Sequence, residues 1–140
     1  MSVFYPRVLL LLLALFSLTL GSCKKDDPQP AQPTVTPLLN NWRLDQVKQN
    51  GQVMASEAAI KDRYSLTFQA DGTYKQKLLA DNTTYNGTWM LMDSNATLHL
   101  TDHKGTANSY NLLSLTKTEL RYSFTNTYSQ LEERIFSAQP

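Results

Sequence analysis

The chain has 140 residues, of which 41% are hydrophobic, and its formal net charge is +1 at pH 7. This length allows one domain with one modest hydrophobic core. From residue 38 onward ten Lys or Arg residues balance ten Asp or Glu residues, which excludes the basic surface that nucleic-acid binding requires.

Residues 1–22 are predicted to be an export signal. Arg7 precedes an uncharged run at 8–20, which is too short to span a bilayer as a helix of roughly 20 residues but fits the apolar core of a secretory signal. The run ends in Leu-Gly-Ser-Cys at 20–23. This motif resembles the lipobox of bacterial lipoproteins, and the resemblance implies cleavage before Cys23 and lipidation of its thiol.

Cys23 is the single cysteine of the chain, so the mature protein is expected to form no internal disulfide. Acylation would anchor it stably, because two or three chains each contribute about 0.8 kcal/mol per buried methylene. The sequence Lys-Lys-Asp-Asp at 24–27 resembles the export tag of Bacteroidetes surface lipoproteins, which implies the outward face of the outer membrane. A plain charged linker and a periplasm-facing position stay open as alternatives.

Residues 23–37 are predicted to form the lipidated cysteine and an extended tether. Prolines at 28, 30, 33 and 37 make such a segment a semi-rigid spacer. The stretch from 38 to 139 contains no proline, as expected where backbone amides donate to sheet ladders. We therefore place the folded domain at 38–140.

Within this domain apolar and polar side chains alternate, and turn residues interrupt the pattern every eight to twelve positions. Tyr64, Leu66 and Phe68, for example, alternate with polar residues before an Asp71-Gly72 turn. Such a pattern is typical of strands in an antiparallel meander.

The pattern predicts eight strands, the first over 42–47 and the last over roughly 128–137. Good helix formers follow Ser56, which predicts one short helix over 57–62, between the first and second strands. Short connections between consecutive strands favour a closed barrel over a sandwich. The predicted fold is therefore all-β, an eight-stranded antiparallel up-and-down barrel, whose interior is either packed or holds one small ligand.

Four segments of the domain carry a family resemblance. They are Asn41-Trp42-Arg43-Leu44, Leu66-Thr67-Phe68 with Asp71-Gly72-Thr73-Tyr74, Asn86-Gly87-Thr88-Trp89, and Leu115-Thr116 with Glu119-Leu120. Together they resemble the small lipocalin-like domains that follow lipoprotein signals in Bacteroidetes. The resemblance covers 38–138 and implies an up-and-down barrel.

Metal and catalytic chemistry are not expected. His99 and His103 lie close in sequence to Asp102, but His99 is predicted to face away from the neighbouring leucines and His103 to lie in a turn, whereas zinc needs three or four converging ligands. Glu132 and Glu133 are adjacent on a strand, so their carboxylates point to opposite faces and cannot act as a pair. We predict a protein that is not an enzyme and needs no cofactor.

The last strand allows two registers. One directs Gln130, Glu132, Arg134 and Phe136 inward, where the polar groups would fix the polar end of an amphipathic ligand. The other directs Leu131 and Ile135 inward and leaves the charges in water. We favour the second register, because buried polar groups need partners.

The remaining aromatic residues are expected to pack. Trp42 is predicted to close the barrel floor, Trp89 to fill its middle, and Gly87 to leave room for a neighbouring ring. The leading hypothesis is a membrane-anchored, non-catalytic barrel that binds a small, partly apolar molecule, and the alternative is a rigid platform for an envelope protein partner. Candidate ligand contacts are Tyr74, Gln76, Trp89, Tyr122, Gln130, Glu132 and Arg134.

Overall fold

The computed structural model describes residues 37–140, so the predicted signal, Cys23 and the tether up to residue 36 lie outside the described residues. In the described part no helix is long and apolar enough to cross a membrane. The same part contains nine strands. They are β1 (Asn41–Gln49), β2 (Gln52–Ser56), β3 (Tyr64–Phe68), β4 (Thr73–Leu78), β5 (Thr84–Met92), β6 (Thr97–Thr101), β7 (Ala107–Leu115), β8 (Glu119–Thr125) and β9 (Leu131–Gln139).

The strands form one antiparallel sheet that closes on itself. From β3 to β9 each strand pairs with the next, and β9 pairs back onto β1 along its length, from Asn41 opposite Gln139 to Gln49 opposite Glu132. The other side of β1 pairs with β3 near its start and with β2 near its end. Since β2 and β3 together fill one position of the wall, the predicted eight-stranded up-and-down barrel is confirmed.

Strand β2 is absent from the sequence prediction. It follows a tight turn in which Asn50 and Gly51 both have positive φ, 47° and 82°, and Asn-Gly is the preferred pair of such hairpin turns. The strand itself lacks alternation, because Val53 and Met54 are adjacent and the ladder shifts between Val47 and Lys48. The sequence therefore contains a signal for the turn, the Asn50-Gly51 pair, but no alternating pattern that would predict β2.

The helix predicted over 57–62 is wrong except for one 3-10 turn at Glu57–Ala59. Ser56 makes no side-chain hydrogen bond to cap it. Glu57 takes a left-handed conformation, φ 45°, and Ile60 is already extended and buried. Burial of Ile60 against the barrel outweighs the modest helix propensity of this segment.

The barrel floor lies at the end where β1 begins. Trp42 and Leu38 are fully buried there, and the indole Nε1 of Trp42 donates a 3.0 Å hydrogen bond to the Leu38 carbonyl oxygen. This agrees with the packing role predicted for Trp42. The buried hydrophobic residues are Leu38, Trp42, Leu44, Ile60, Tyr64, Leu66, Phe68, Tyr74, Leu98, Leu100, Leu120, Tyr122 and Phe136.

Gly87 leaves space for a ring, as predicted. It pairs with Tyr74 across the β4–β5 ladder, and a Cβ atom there would lie 2.5 Å from Tyr74 Cε1 and overlap the Thr101 carbonyl oxygen. The prediction that Trp89 fills the barrel middle is wrong. Trp89 is half-buried near the β3–β4 turn, where its Nε1 donates to the Gln69 carbonyl oxygen at 3.0 Å.

Strand β9 adopts the register that the sequence analysis did not favour. Phe136 is 1% exposed and Glu132 9% exposed, whereas Leu131 is 51% exposed. Phe136 packs its ring 5.3 Å from the ring of Tyr122, and Glu132 is paired with Arg134. The inward charges satisfy each other, so the cost of burying them is offset and the aromatic packing determines the register.

Candidate ligand-binding site

A cavity of about 440 Å³ lies toward the barrel end at which β1 ends and β9 begins, opposite the Trp42 floor. Its size falls within the range of small-molecule sites. Five of its eleven lining residues are aliphatic, and the other six carry polar or charged groups. The lining residues are Leu44, Val47, Ala55, Ile60, Lys61, Asp62, Tyr64, Gln76, Leu78, Glu132 and Arg134.

The cavity exists because the wall is incomplete beside β2. Among the described residues β2 pairs with β1 alone, and β3 reaches only as far as Tyr64, opposite Leu78 of β4. The gap between β2 and β4 is covered by the connecting segment, from which Ile60, Lys61 and Asp62 line the cavity. We refer to residues 57–62 as the cover segment.

Arg63 fixes the end of the cover segment to the barrel. Its Nε donates to the Leu44 carbonyl oxygen at 2.6 Å, and its Nη2 lies 2.5 Å from Oδ1 of Asp45. Burial raises the pKa of Asp45, but hydrogen bonds from Ser137, Arg43 and Arg63 outweigh it, so the pKa lies below its ordinary value of 3.8. The carboxylate therefore stays charged and holds Arg63 in place near neutral pH.

The polar end of the cavity is a connected cluster on β9, β3 and β8. Arg134 Nε donates to Glu132 Oε1 at 2.8 Å, and Arg134 Nη1 donates to the Tyr64 hydroxyl at 2.7 Å. The hydroxyls of Tyr64 and Tyr122 lie 3.1 Å apart. The guanidinium carbon also lies 5.1 Å from the ring centre of Phe124, a favourable cation–π distance.

Burial keeps the neighbouring phenols neutral. It raises the pKa of Tyr122 well above 10.0, that of Tyr110 to about 12, and that of Tyr74 in the same direction. Burial alone lowers the pKa of Arg134, but electrostatic interaction with Tyr64 and Tyr122 and hydrogen bonds to Tyr64 and Glu132 more than offset this, so the pKa is raised. Near neutral pH Arg134 is therefore charged, whereas the hydroxyl groups of Tyr74, Tyr110 and Tyr122 are neutral.

A second cavity of about 150 Å³ lies on the other side of Arg134. It shares Tyr64, Gln76 and Arg134 with the larger cavity, and its wall is more polar. Its lining residues are Tyr64, Leu66, Tyr74, Gln76, Leu100, Asp102, Asn108, Tyr110, Tyr122 and Arg134. Arg134 therefore contributes to both cavities.

The structure brings together five of the seven candidate contacts. Gln76, Glu132 and Arg134 line the larger cavity, and Tyr74 and Tyr122 line the smaller one. The other two lie outside both cavities. These are Trp89, near the β3–β4 turn, and Gln130, whose backbone amide donates to Asn126 Oδ1 at 3.0 Å in the β8–β9 turn.

Sequence reasoning missed several lining residues. Tyr64 shares one face of its strand with Leu66 and Phe68 and is predicted to face inward, but nothing local marks its hydroxyl as a partner of Arg134. Tyr110 is similar. Ile60 gave no usable signal, because its position in the site depends on the cover segment not being a helix.

No cluster in the described part of the chain brings three His, Cys, Asp or Glu side chains together around a metal position. His99 lies between the buried Leu98 and Leu100, and its Nδ1 lies 3.0 Å from the Ser109 hydroxyl. His103 stacks on Tyr85 with ring centres 4.5 Å apart. His99 therefore has a hydrogen-bonding partner in Ser109, and His103 has a stacking partner in Tyr85.

A family model described as lipocalin-like domain matches residues 38–122 of the chain. This match covers β1 to β7 and most of β8, and more than half of the 140 residues. No curated protein matches the chain.

Proposed function

Because the chain belongs to the family of lipocalin-like domains, as its sequence predicts, we propose that its barrel binds one small, partly apolar molecule and catalyses no reaction. The observation that carries this proposal is the cavity of about 440 Å³ that combines an aliphatic part with a polar cluster centred on Arg134. Cavities of this kind, apolar with a few placed polar groups, are the usual form of small-molecule sites.

The two parts of the cavity suit the two parts of an amphipathic ligand. Leu44, Val47, Ile60 and Leu78 offer aliphatic surface to an apolar tail, whose burial contributes about 25 cal/mol per Å². The guanidinium of Arg134 has five N–H donors, of which hydrogen bonds within the protein use Nε and one on Nη1. The remaining donors are available to a polar head group.

The same cluster supports a binding role rather than a catalytic one. A general base needs a free acceptor that gains and loses a proton near the working pH. Within this cluster, Glu132 is engaged by Arg134, and the phenol pKa values of Tyr110 and Tyr122 are raised by burial. These groups are suited to holding a ligand.

Native mass spectrometry of the protein isolated from its own membrane tests this function. We expect one small molecule per chain, retained by the wild type and lost when Leu78 is replaced by Gln. The matched control is Leu113→Gln, because Leu113 is exposed on the outer surface. A wild type that is consistently empty, and that no added amphipath stabilises against heat, would refute the proposal.

The proposal includes the membrane anchor predicted from the sequence. Lipidation of Cys23 would hold the barrel at the outer membrane, facing outward by the motif at 24–27, with a periplasm-facing position as the alternative. Incorporation of labelled palmitate that Cys23→Ala abolishes supports the anchor. Cleavage of the chain by protease added to intact cells supports the outward face, and protection of the chain supports the alternative.

A second candidate function is a rigid platform for an envelope protein. It is favoured by exposed apolar side chains around the β1–β2 hairpin: Val53 is 55% and Met54 60% exposed, and the Asn50 amide donates to the carbonyl oxygen of the exposed Leu131 at 2.9 Å. Crosslinking in the native envelope distinguishes the two functions. One stoichiometric protein partner and no bound small molecule would favour the platform.

A further inference from the structure

The charged side chains lining the larger cavity sum to zero. Lys61 and Asp62 belong to the cover segment, and Glu132 and Arg134 belong to β9. Within the β9 pair, the Glu132 side chain is 11% exposed and that of Arg134 is 29% exposed. The carboxylate is therefore the more deeply buried of the two charges, and it occupies part of the donor surface of the guanidinium.

This arrangement should give a charged and an uncharged head group different binding free energies. A ligand carboxylate that approached the free N–H groups of Arg134 would lie near the Glu132 carboxylate, and like charges repel more strongly where water is displaced. A hydroxyl head accepts a hydrogen bond from Arg134 without that repulsion. Gln76, which lines both cavities, is a further neutral partner for such a head.

We infer that Glu132 determines specificity in this cavity, making it select an uncharged amphipath, such as a fatty alcohol, over the fatty acid of the same chain length. The inference rests on the proposed ligand-binding function and adds the class of head group. Without Glu132 the same cavity would hold an unpaired Arg134, which is the usual partner of a carboxylate.

Titration of the full chain in lipid nanodiscs with octanol and with octanoate tests the inference, with heats from empty nanodiscs subtracted. The two probes share one chain length and differ in head-group charge. We expect the wild type to bind octanol at least about tenfold more tightly than octanoate, which corresponds to 1.4 kcal/mol. Glu132→Gln should raise the affinity for octanoate by about tenfold or more, because a charge-assisted bond to Arg134 becomes available.

Glu133→Gln is the matched control. It removes the same charge one position along β9, from a carboxylate that pairs with Arg121 at 2.9 Å and does not line either cavity. We expect it to retain the preference of the wild type. The double variant Glu132→Gln with Arg134→Gln should lose the gain in octanoate binding, since it again leaves a cavity whose charges sum to zero.

The possible outcomes distinguish a failure of the inference on Glu132 from a failure of the proposed ligand binding. If octanol binds but octanoate binds the wild type equally well or better, the inference on Glu132 fails and ligand binding stands. An unchanged ratio of the two affinities in a folded Glu132→Gln variant also overturns it. If that variant does not fold, the ratio of the wild-type affinities for octanol and octanoate decides whether the inference on Glu132 holds. Binding of neither probe to any folded form contradicts the proposed function, and the inference fails with it.

Discussion

The Nη1 atom of Arg134 donates a 2.7 Å hydrogen bond to the hydroxyl of Tyr64. Arg134 lies on β9 and Tyr64 on β3, and the sheet places β1 between these two strands. The bond therefore links them inside the barrel, beside the rings of Tyr122 and Phe136. It also holds the guanidinium at the boundary between the two cavities.

Replacement of Arg134 by Ala should lower the free energy of unfolding by about 2 kcal/mol, because it leaves the buried Glu132 carboxylate without its partner. Urea denaturation measures the change. The control is Arg43→Ala, for which we expect a loss within about 0.5 kcal/mol, since Arg43 is 42% exposed and Asp45 keeps Arg63 as a partner. Equal losses for the two variants would place the Arg134 charge in water.

Gly87→Ala should destabilise the barrel by about 2 kcal/mol, because the added methyl group overlaps the Tyr74 ring and the Thr101 carbonyl oxygen. Thermal unfolding followed by circular dichroism measures the effect. Asn86→Ala, at the exposed neighbouring position, should change stability by less than about 0.5 kcal/mol. A Gly87→Ala variant as stable as the wild type would contradict the close approach of Tyr74.

Stability should fall as the pH rises from 10.0 toward about 12. Burial raises the pKa of Tyr110 from 10.0 to about 12 in the folded protein, whereas in the unfolded chain it ionises at its ordinary value. Above pH 10.0 the unfolded state therefore binds fewer protons than the folded state, and the free energy of unfolding decreases with pH. Below pH 10.0 this contribution is fully present.

Urea denaturation at a series of alkaline pH values checks this dependence. Tyr110→Phe should reduce the slope, because one of the raised groups is gone. Tyr122, whose pKa burial also raises, accounts for part of what remains. A slope that Tyr110→Phe leaves unchanged would mean that Tyr110 titrates alike in the folded and unfolded chain.

Arg63→Ala should release the cover segment while leaving the rest of the barrel closed. The variant loses the bonds to the Leu44 carbonyl oxygen and Asp45, and the segment retains mainly the burial of Ile60. Hydrogen–deuterium exchange should become faster over 57–62 and stay unchanged over β5 to β7. Faster exchange throughout the chain would instead show that Arg63 supports the whole fold.

Much of the fold follows from side-chain alternation, which is a local property. The apolar face of β3, with Tyr64, Leu66 and Phe68, is directed inward because the polar residues between them favour water. Gly87 marks the position at which the Tyr74 ring packs directly against the backbone of β5. The helix prediction failed at Glu57 and Ile60 for the opposite reason. There a contact with the barrel outweighed the local preference of the residues.

The candidate site was less predictable than the fold. Both faces of β9 carry apolar and charged residues, so periodicity could not choose between Glu132 and Leu131 as inward groups. The choice depends on Tyr64 and Tyr122, which are distant in sequence from β9 and supply the partner of Arg134 and the packing surface of Phe136.

The sequence by itself determined the alternating strands, their turns and the family of the domain, because neighbouring residues suffice to specify which side chains avoid water. Only the tertiary structure decided the register of β9, the short turn at Glu57–Ala59 and the two cavities that meet at Arg134. These features arise where residues far apart in the chain either satisfy one another or leave space between them, and no local pattern records that outcome.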